Sequence, residues 1–139
     1  MSLSVAVMEN LELKSTPKTP EISFNATTGE MIIRGRAIPL ESEEFWAPVL
    51  KWFYAYATDP QQKTRFVFDM EYFNISSSKK ILFLLHKLND LLEVGFDVDI
   101  EWRYPKGDIE MKEAGSDFSC MVNIPIRFVE TEESLATAV

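Results

Sequence analysis

In Thr64-Arg65-Phe66-Val67-Phe68-Asp69-Met70-Glu71-Tyr72-Phe73, the residues Phe66, Phe68, Met70 and Tyr72 recur with period two against Val67, Asp69 and Glu71. That alternation is a β-strand's, and the heavy apolar load predicts a strand inside a sheet. The pattern stops at Asn74-Ile75-Ser76-Ser77-Ser78-Lys79. Beyond it Ile81, Leu84, Leu85, Leu88, Leu91 and Leu92 recur at helical spacing until Gly95, a residue suited to the left-handed position past a helix end. An interior strand feeding a helix predicts a crossover to a parallel neighbour.

Upstream, Glu21-Ile22-Ser23-Phe24-Asn25, the turn Thr27-Thr28-Gly29 and the run Met31 to Ile38 predict an antiparallel hairpin, interrupted at Gly35 and ended by Pro39. Phe45, Val49, Trp52, Phe53 and Tyr56 then form a helical stripe. Pro48 has no amide hydrogen to give, so the helix is expected to start near Trp46 and to close at Asp59-Pro60. Downstream, Val98, Ile100, Trp102 and Tyr104 alternate with Asp97, Asp99, Glu101 and Arg103, which predicts a strand with one buried and one wet face. A short helix is expected around Ile109 to Ala114. A last strand is expected over Ile124 to Val129, at an edge because of Pro125.

The predicted order is ββαβαβ(α)β: a single α/β domain with a mixed sheet of about five strands and helices packed mainly on one side. The domain is expected over 17–130. Residues 1–16 are read as a flexible N-terminus, of which 1–8 are expected to derive from a vector with Met8 as the natural start. Residues 131–139 are read as a frayed tail.

The 139 residues are 46% apolar and 12% aromatic, which suits one domain with a real core and excludes disorder over most of the length. Twenty-two acidic against fourteen basic side chains leave a charge of −8, unfavourable for nucleic acid and for anionic membranes. No apolar run approaches the ~20 residues of a bilayer span, and no signal peptide is recognised. With Cys120 as the sole cysteine, a cytoplasmic protein is expected.

The inventory of reactive groups is thin. His86 is the only histidine and falls on a helix flank. There is no metal-ligand spacing and no glycine-rich phosphate loop. Asp69 with Glu71, and Asp97, Asp99 with Glu101, read as solvated strand faces rather than acid–base pairs. The acidic stretch Asp108 to Asp117 reads as a surface. A protein that is not an enzyme and carries no cofactor or metal is expected.

The segment left to explain is Asn74 to Lys79, between the carboxyl end of a central strand and a helix N-terminus. Serines there serve as N-caps. They are also candidate phosphate acceptors, because the helix end favours negative charge. The same end could instead seat a nucleotide or another small anionic molecule.

The chain resembles the SiaC family of bacterial regulatory phosphoproteins. The likeness is carried by Thr19-Pro20-Glu21-Ile22-Ser23-Phe24, Gly29-Glu30-Met31, Gly35-Arg36-Ala37-Ile38-Pro39, and Phe45-Trp46-Ala47-Pro48-Val49 with Trp52. It continues in Tyr72-Phe73-Asn74-Ile75-Ser76-Ser77-Ser78-Lys79, Trp102-Arg103-Tyr104, Met111-Lys112-Glu113-Ala114-Gly115 with Asp117-Phe118, and Ile124-Pro125-Ile126. The resemblance implies a STAS-like domain, similar to anti-sigma-factor antagonists, that switches protein partners. It further implies a serine/threonine kinase, a PP2C-type phosphatase, and a diguanylate cyclase activated by the unphosphorylated form in cyclic-di-GMP and biofilm control. The family's phosphorylated threonine falls on Ile75 here. Either Ser76 or Ser77 accepts the phosphate in its place, or the chain stays permanently competent to bind. The implied contact surface is Tyr72, Phe73, Asn74, Ser76, Ser77 and Lys79.

Overall fold

The computed structural model of the chain describes residues 8–132. Its elements are β1 (Leu11–Leu13), β2 (Glu21–Asn25), β3 (Glu30–Ala37), α1 (Ser42–Thr58), β4 (Lys63–Phe73), α2 (Ile75–Glu93), β5 (Asp97–Pro105), α3 (Ile109–Val122) and β6 (Arg127–Thr131). The sheet runs in chain order from β1 to β6. The first three strands are antiparallel and β3 to β6 are parallel. Right-handed crossovers that advance one strand at a time leave their helices on a single face. Ile22, Phe24, Met31, Ile33, Phe66, Phe68, Ile100 and Trp102 point to that face and are buried with the inner sides of the helices.

The mixed α/β architecture, the hairpin, the interior position of β4 and the edge position of the last strand are as the sequence predicts. Gly95 has φ 103°, and the amides of Gly95 and Phe96 reach back to Leu92 and Leu91 to close α2. The expectations for residues 1–7 and 133–139 concern positions outside the described residues.

Several boundaries differ from expectation for physical reasons. The sheet has six strands, because part of the segment read as flexible pairs with β2: Leu11 lies opposite Phe24 and Leu13 opposite Ile22. The preceding backbone is tied down by Trp52, whose indole N–H donates to the Glu9 carbonyl at 2.7 Å. Helix α1 begins at Ser42, not at Trp46, and contains Pro48. Both Pro48 and Glu44, whose carbonyl loses its helical donor, are exposed, so water can satisfy that oxygen. Strand β6 starts at Arg127, past Pro125, and runs on to Thr131, where a frayed tail was expected.

Helix α3 extends to Val122, well beyond Ala114. Gly115, a poor helix former, sits inside it because the helix lies almost on Trp102: a Cβ at Gly115 would come within 2.6 Å of the indole.

Tyr72 does not share a face with Phe66, Phe68 and Met70. The β3–β4 register shifts between Gly35 and Arg36, so that Gly35 opposes Met70 but Arg36 opposes Tyr72. Glu71 is the extra residue of this bulge. Beyond it the alternation inverts: Tyr72 is 52% exposed with the Arg36 guanidinium 5.9 Å from its ring centre, while Phe73 packs on Trp102 and Phe118.

The face of the sheet without helices is charged, and its register alternates sign. Glu30, Arg65 and Asp99 lie opposite one another across three strands, as do Arg34, Asp69 and Arg103. Glu101 was expected on a wet surface but is only 4% exposed. It accepts from Arg65 and Arg127, each at 2.9 Å, and from Arg103. Burial alone would raise its pKa, yet the hydrogen bonds from Arg103 and Arg127 outweigh it and hold the carboxyl below its ordinary value. Asp99 is likewise lowered, chiefly by its hydrogen bonds from Arg127.

Candidate functional site

The end of β4 enters α2 with no intervening loop. The Asn74 amide donates to the carbonyl of Ala37 on β3 at 3.0 Å, which fixes the cap residue to the sheet. Asn74 is extended, and its Oδ1 accepts from the Ser77 amide at 2.9 Å. This N-cap satisfies one of the amides a helix start leaves free. The same Oδ1 accepts from the Ser76 hydroxyl at 3.2 Å.

The serines are not equivalent. Ser77 is fully buried, and its Oγ accepts from the indole N–H of Trp46 at 3.0 Å. It holds α1 against α2 and is out of reach of a kinase or a partner, so of the two expected acceptors only Ser76 has accessible surface. The Ser78 hydroxyl turns back to the carbonyl of Ile75 at 2.6 Å. Ile75, in the first turn, is 79% exposed, far beyond what its side chain gains from water. Lys79 projects into solvent, whereas Lys80 reaches across to Glu43 of α1 at 2.6 Å.

Of the expected contact residues, Tyr72, Asn74, Ser76 and Lys79 therefore reach the surface around the start of α2, Phe73 is half-buried, and Ser77 is sealed. The sequence reading missed Trp46. Its spacing of three and seven residues from Val49 and Phe53 marks it as buried, but nothing local reveals which hydroxyl its indole would find.

The amides of Ile75 and Ser76 have no protein acceptor among the described residues. An anion placed there would meet free N–H groups and the positive end of the α2 dipole. No helix among the described residues is long and apolar enough to cross a membrane.

A one-sided α/β domain with a hydroxyl-bearing helix cap at the carboxyl end of its central strand has the build of a recognition module. The comparisons specify which. The model of the SiaC family of regulatory phosphoproteins matches residues 13–131, and the chain belongs to that family. It is 25% identical over 111 residues, 80% of this chain and 88% of the relative, to an uncharacterized protein of Pseudomonas aeruginosa strain UCBPP-PA14. The fold is similar to apo-SiaC of Pseudomonas aeruginosa, with a TM-score of 0.81 at 24% identity over 88% of this chain and 99% of the other. It is similar, too, to a chain in the crystal structure of the diguanylate cyclase SiaD with its activator SiaC from that organism. There the TM-score is 0.82 at 23% identity over 87% and 99% of the two chains.

Proposed function

We propose that this protein is a non-catalytic, cytoplasmic partner-switching regulator that binds and activates a diguanylate cyclase when unmodified, and that phosphorylation of Ser76 releases it. A serine/threonine kinase and a PP2C-type phosphatase would set the modification. Family membership supports the class, and the complex of SiaD with its activator SiaC supports a cyclase as the partner. The observation that carries the assignment to Ser76 is the contrast within the cap: Ser77 is sealed by Trp46, while Ser76 is partly exposed beside unpaired amides. A phosphate on Ser76 would remove its hydrogen bond to Asn74. It would also bring about −1.5 to −2 charges to a helix end that favours them.

A nucleotide, unlike a covalently attached phosphate, would have to be held by the surface, and the groove beside this helix end offers it no basic side chain among the described residues.

The test is co-purification from the source bacterium of the natural chain, Ser76→Ala and Ser76→Glu, with mass mapping of the natural chain. The expected result is a cyclase retained by the first two and lost by Ser76→Glu, with phosphate on Ser76. A cyclase held equally by all three, with no phosphate found, would show a permanently competent activator and overturn the switch.

A further inference from the structure

The carboxyl end of the sheet holds a second feature, next to the cap of α2. Between the end of β4 and the first turn of α3 runs a groove of about 180 Å³, room for one long side chain. Its floor is apolar, from Phe73, Met111 and Ala114, and its walls carry Glu71, Asp108 and Glu110. Asp108 uses one oxygen to cap α3, accepting from the Met111 amide at 3.0 Å. That bond also quiets the positive end of the α3 dipole. Neither Glu71 nor Glu110 takes part in an ion pair among the described residues, in contrast to Asp69, Asp99 and Glu101 on the sheet face.

Large apolar side chains stand exposed around the groove. Tyr72 borders it, Ile109 (67% exposed) begins α3, and Ile75 begins α2. Tyr72 lies at the end of β4, Ile75 just past it, and Ile109 past the end of the adjacent β5. Other large apolar side chains are exposed elsewhere, Leu40, Phe83, Val94 and Met121 among them. What sets this group apart is its place beside a groove walled by carboxylates, and exposed apolar groups at such a groove mark an interaction site.

We propose that this groove receives an arginine or lysine of the protein partner, presented between apolar residues that cover Tyr72, Ile75 and Ile109. A long basic side chain matches both parts of the groove: its methylene stem lies on the Phe73–Met111–Ala114 floor and its cation meets Glu71 and Glu110. The three wall carboxylates, on a chain of net charge −8, set the sign of the occupant. The inference rests on the partner-binding reading of this end of the sheet and adds the chemistry of what binds.

Two measurements separate the groove from that reading. In the first, N-acetyl-leucyl-arginyl-leucinamide is titrated into isotope-labelled full-length protein, with the glutamyl analogue as control. Amide shifts at Glu71, Phe73, Glu110, Met111 and Ala114 with the arginyl peptide alone, lost in Glu71→Gln/Glu110→Gln, are expected. No shifts there, or equal shifts from both peptides, would overturn the proposal whatever the cyclase does. In the second, the cyclase captured by the natural chain is offered to Glu71→Lys/Glu110→Lys, both exposed positions that the fold does not use. Binding weaker by about tenfold is expected. Unchanged binding would overturn the groove while leaving the cyclase reading intact. Failure of the natural chain itself to capture a cyclase would count against that reading alone, with the peptide titration still deciding the groove.

Discussion

The indole of Trp46 in α1 donates its N–H to the hydroxyl of Ser77 in the first turn of α2, at 3.0 Å and out of contact with water. This one bond makes the third residue of the helix structural and leaves the proposed recognition to its exposed neighbours. Ser77→Ala strands a buried indole N–H, a loss of about 1–3 kcal/mol. Ser77→Asp is expected to do worse, because it places a charge where no cation waits. Urea denaturation followed by tryptophan fluorescence reads both. A Ser77→Asp protein as stable as the natural one would show that the site opens, and would return Ser77 to the list of acceptors.

Gly115 holds α3 down on β5. The Trp102 indole cannot move aside, since its N–H donates to the Met111 carbonyl at 2.9 Å and its ring packs on Phe68, Phe73 and Phe118. A methyl group 2.6 Å from that ring must lift the helix. Gly115→Ala ordinarily gains helix propensity of about 1 kcal/mol. Here overpacking is expected to reverse the sign, with a net loss of about 1–2 kcal/mol in urea denaturation. A stabilised variant would mean that α3 sits less tightly than the geometry states.

What was legible in the sequence follows from which interactions are periodic. The interior strand β4, the leucine face of α2 and the alternation of β5 repeat a local pattern, and a strand–helix–strand alternation implies parallel strands joined by right-handed crossovers. The six-strand count was not legible, because Leu11–Leu13 is too short to show a period and is held by a distant indole. Nor was the inversion at Glu71, since a bulge changes no residue type and only Gly35 on the neighbouring strand hints at it. At the site, Asn74 and the serines stand out in sequence. Their division into a cap, an exposed hydroxyl and a sealed one depends on Trp46, about thirty residues away, and on which way one turn of helix faces. The groove was illegible for the same reason: its walls come from β4 and α3, and its carboxylates read simply as surface.

Ile75 offers a direct handle on the proposed switch. Being 79% exposed, it contributes little to the core, so Ile75→Thr is expected to change stability by no more than about 0.5 kcal/mol. The variant puts a hydroxyl at the first helical position, the place to which the resemblance assigns the family's phosphorylated threonine. Incubated with a kinase that modifies a SiaC family member, Ile75→Thr is expected to take up phosphate faster than the natural chain. Equal uptake would indicate that Ser76 already serves as a full acceptor, and no uptake by either would argue that the kinase reads features absent from this helix end.

The arginine cluster on the open face of the sheet ties stability to pH. Glu101 and Asp99 have lowered pKa values in the folded state, so the unfolded chain binds protons at higher pH than the folded one. Their contribution is fully present above the unfolded carboxylate value of about 4 and fades as pH falls through the lower folded values. Glu101→Gln keeps the shape but gives up the charge. At neutral pH it is expected to cost about 1–2 kcal/mol, a modest figure because Arg65, Arg103 and Arg127 all remain partly in water. Thermal melts between about pH 7 and pH 3 should then show the natural protein losing more stability than the variant, so that the two curves converge in acid. Curves that stay parallel would mean that Glu101 is no better paired in the folded chain than in the unfolded one, and that the alternating register of charges contributes geometry rather than acid sensitivity.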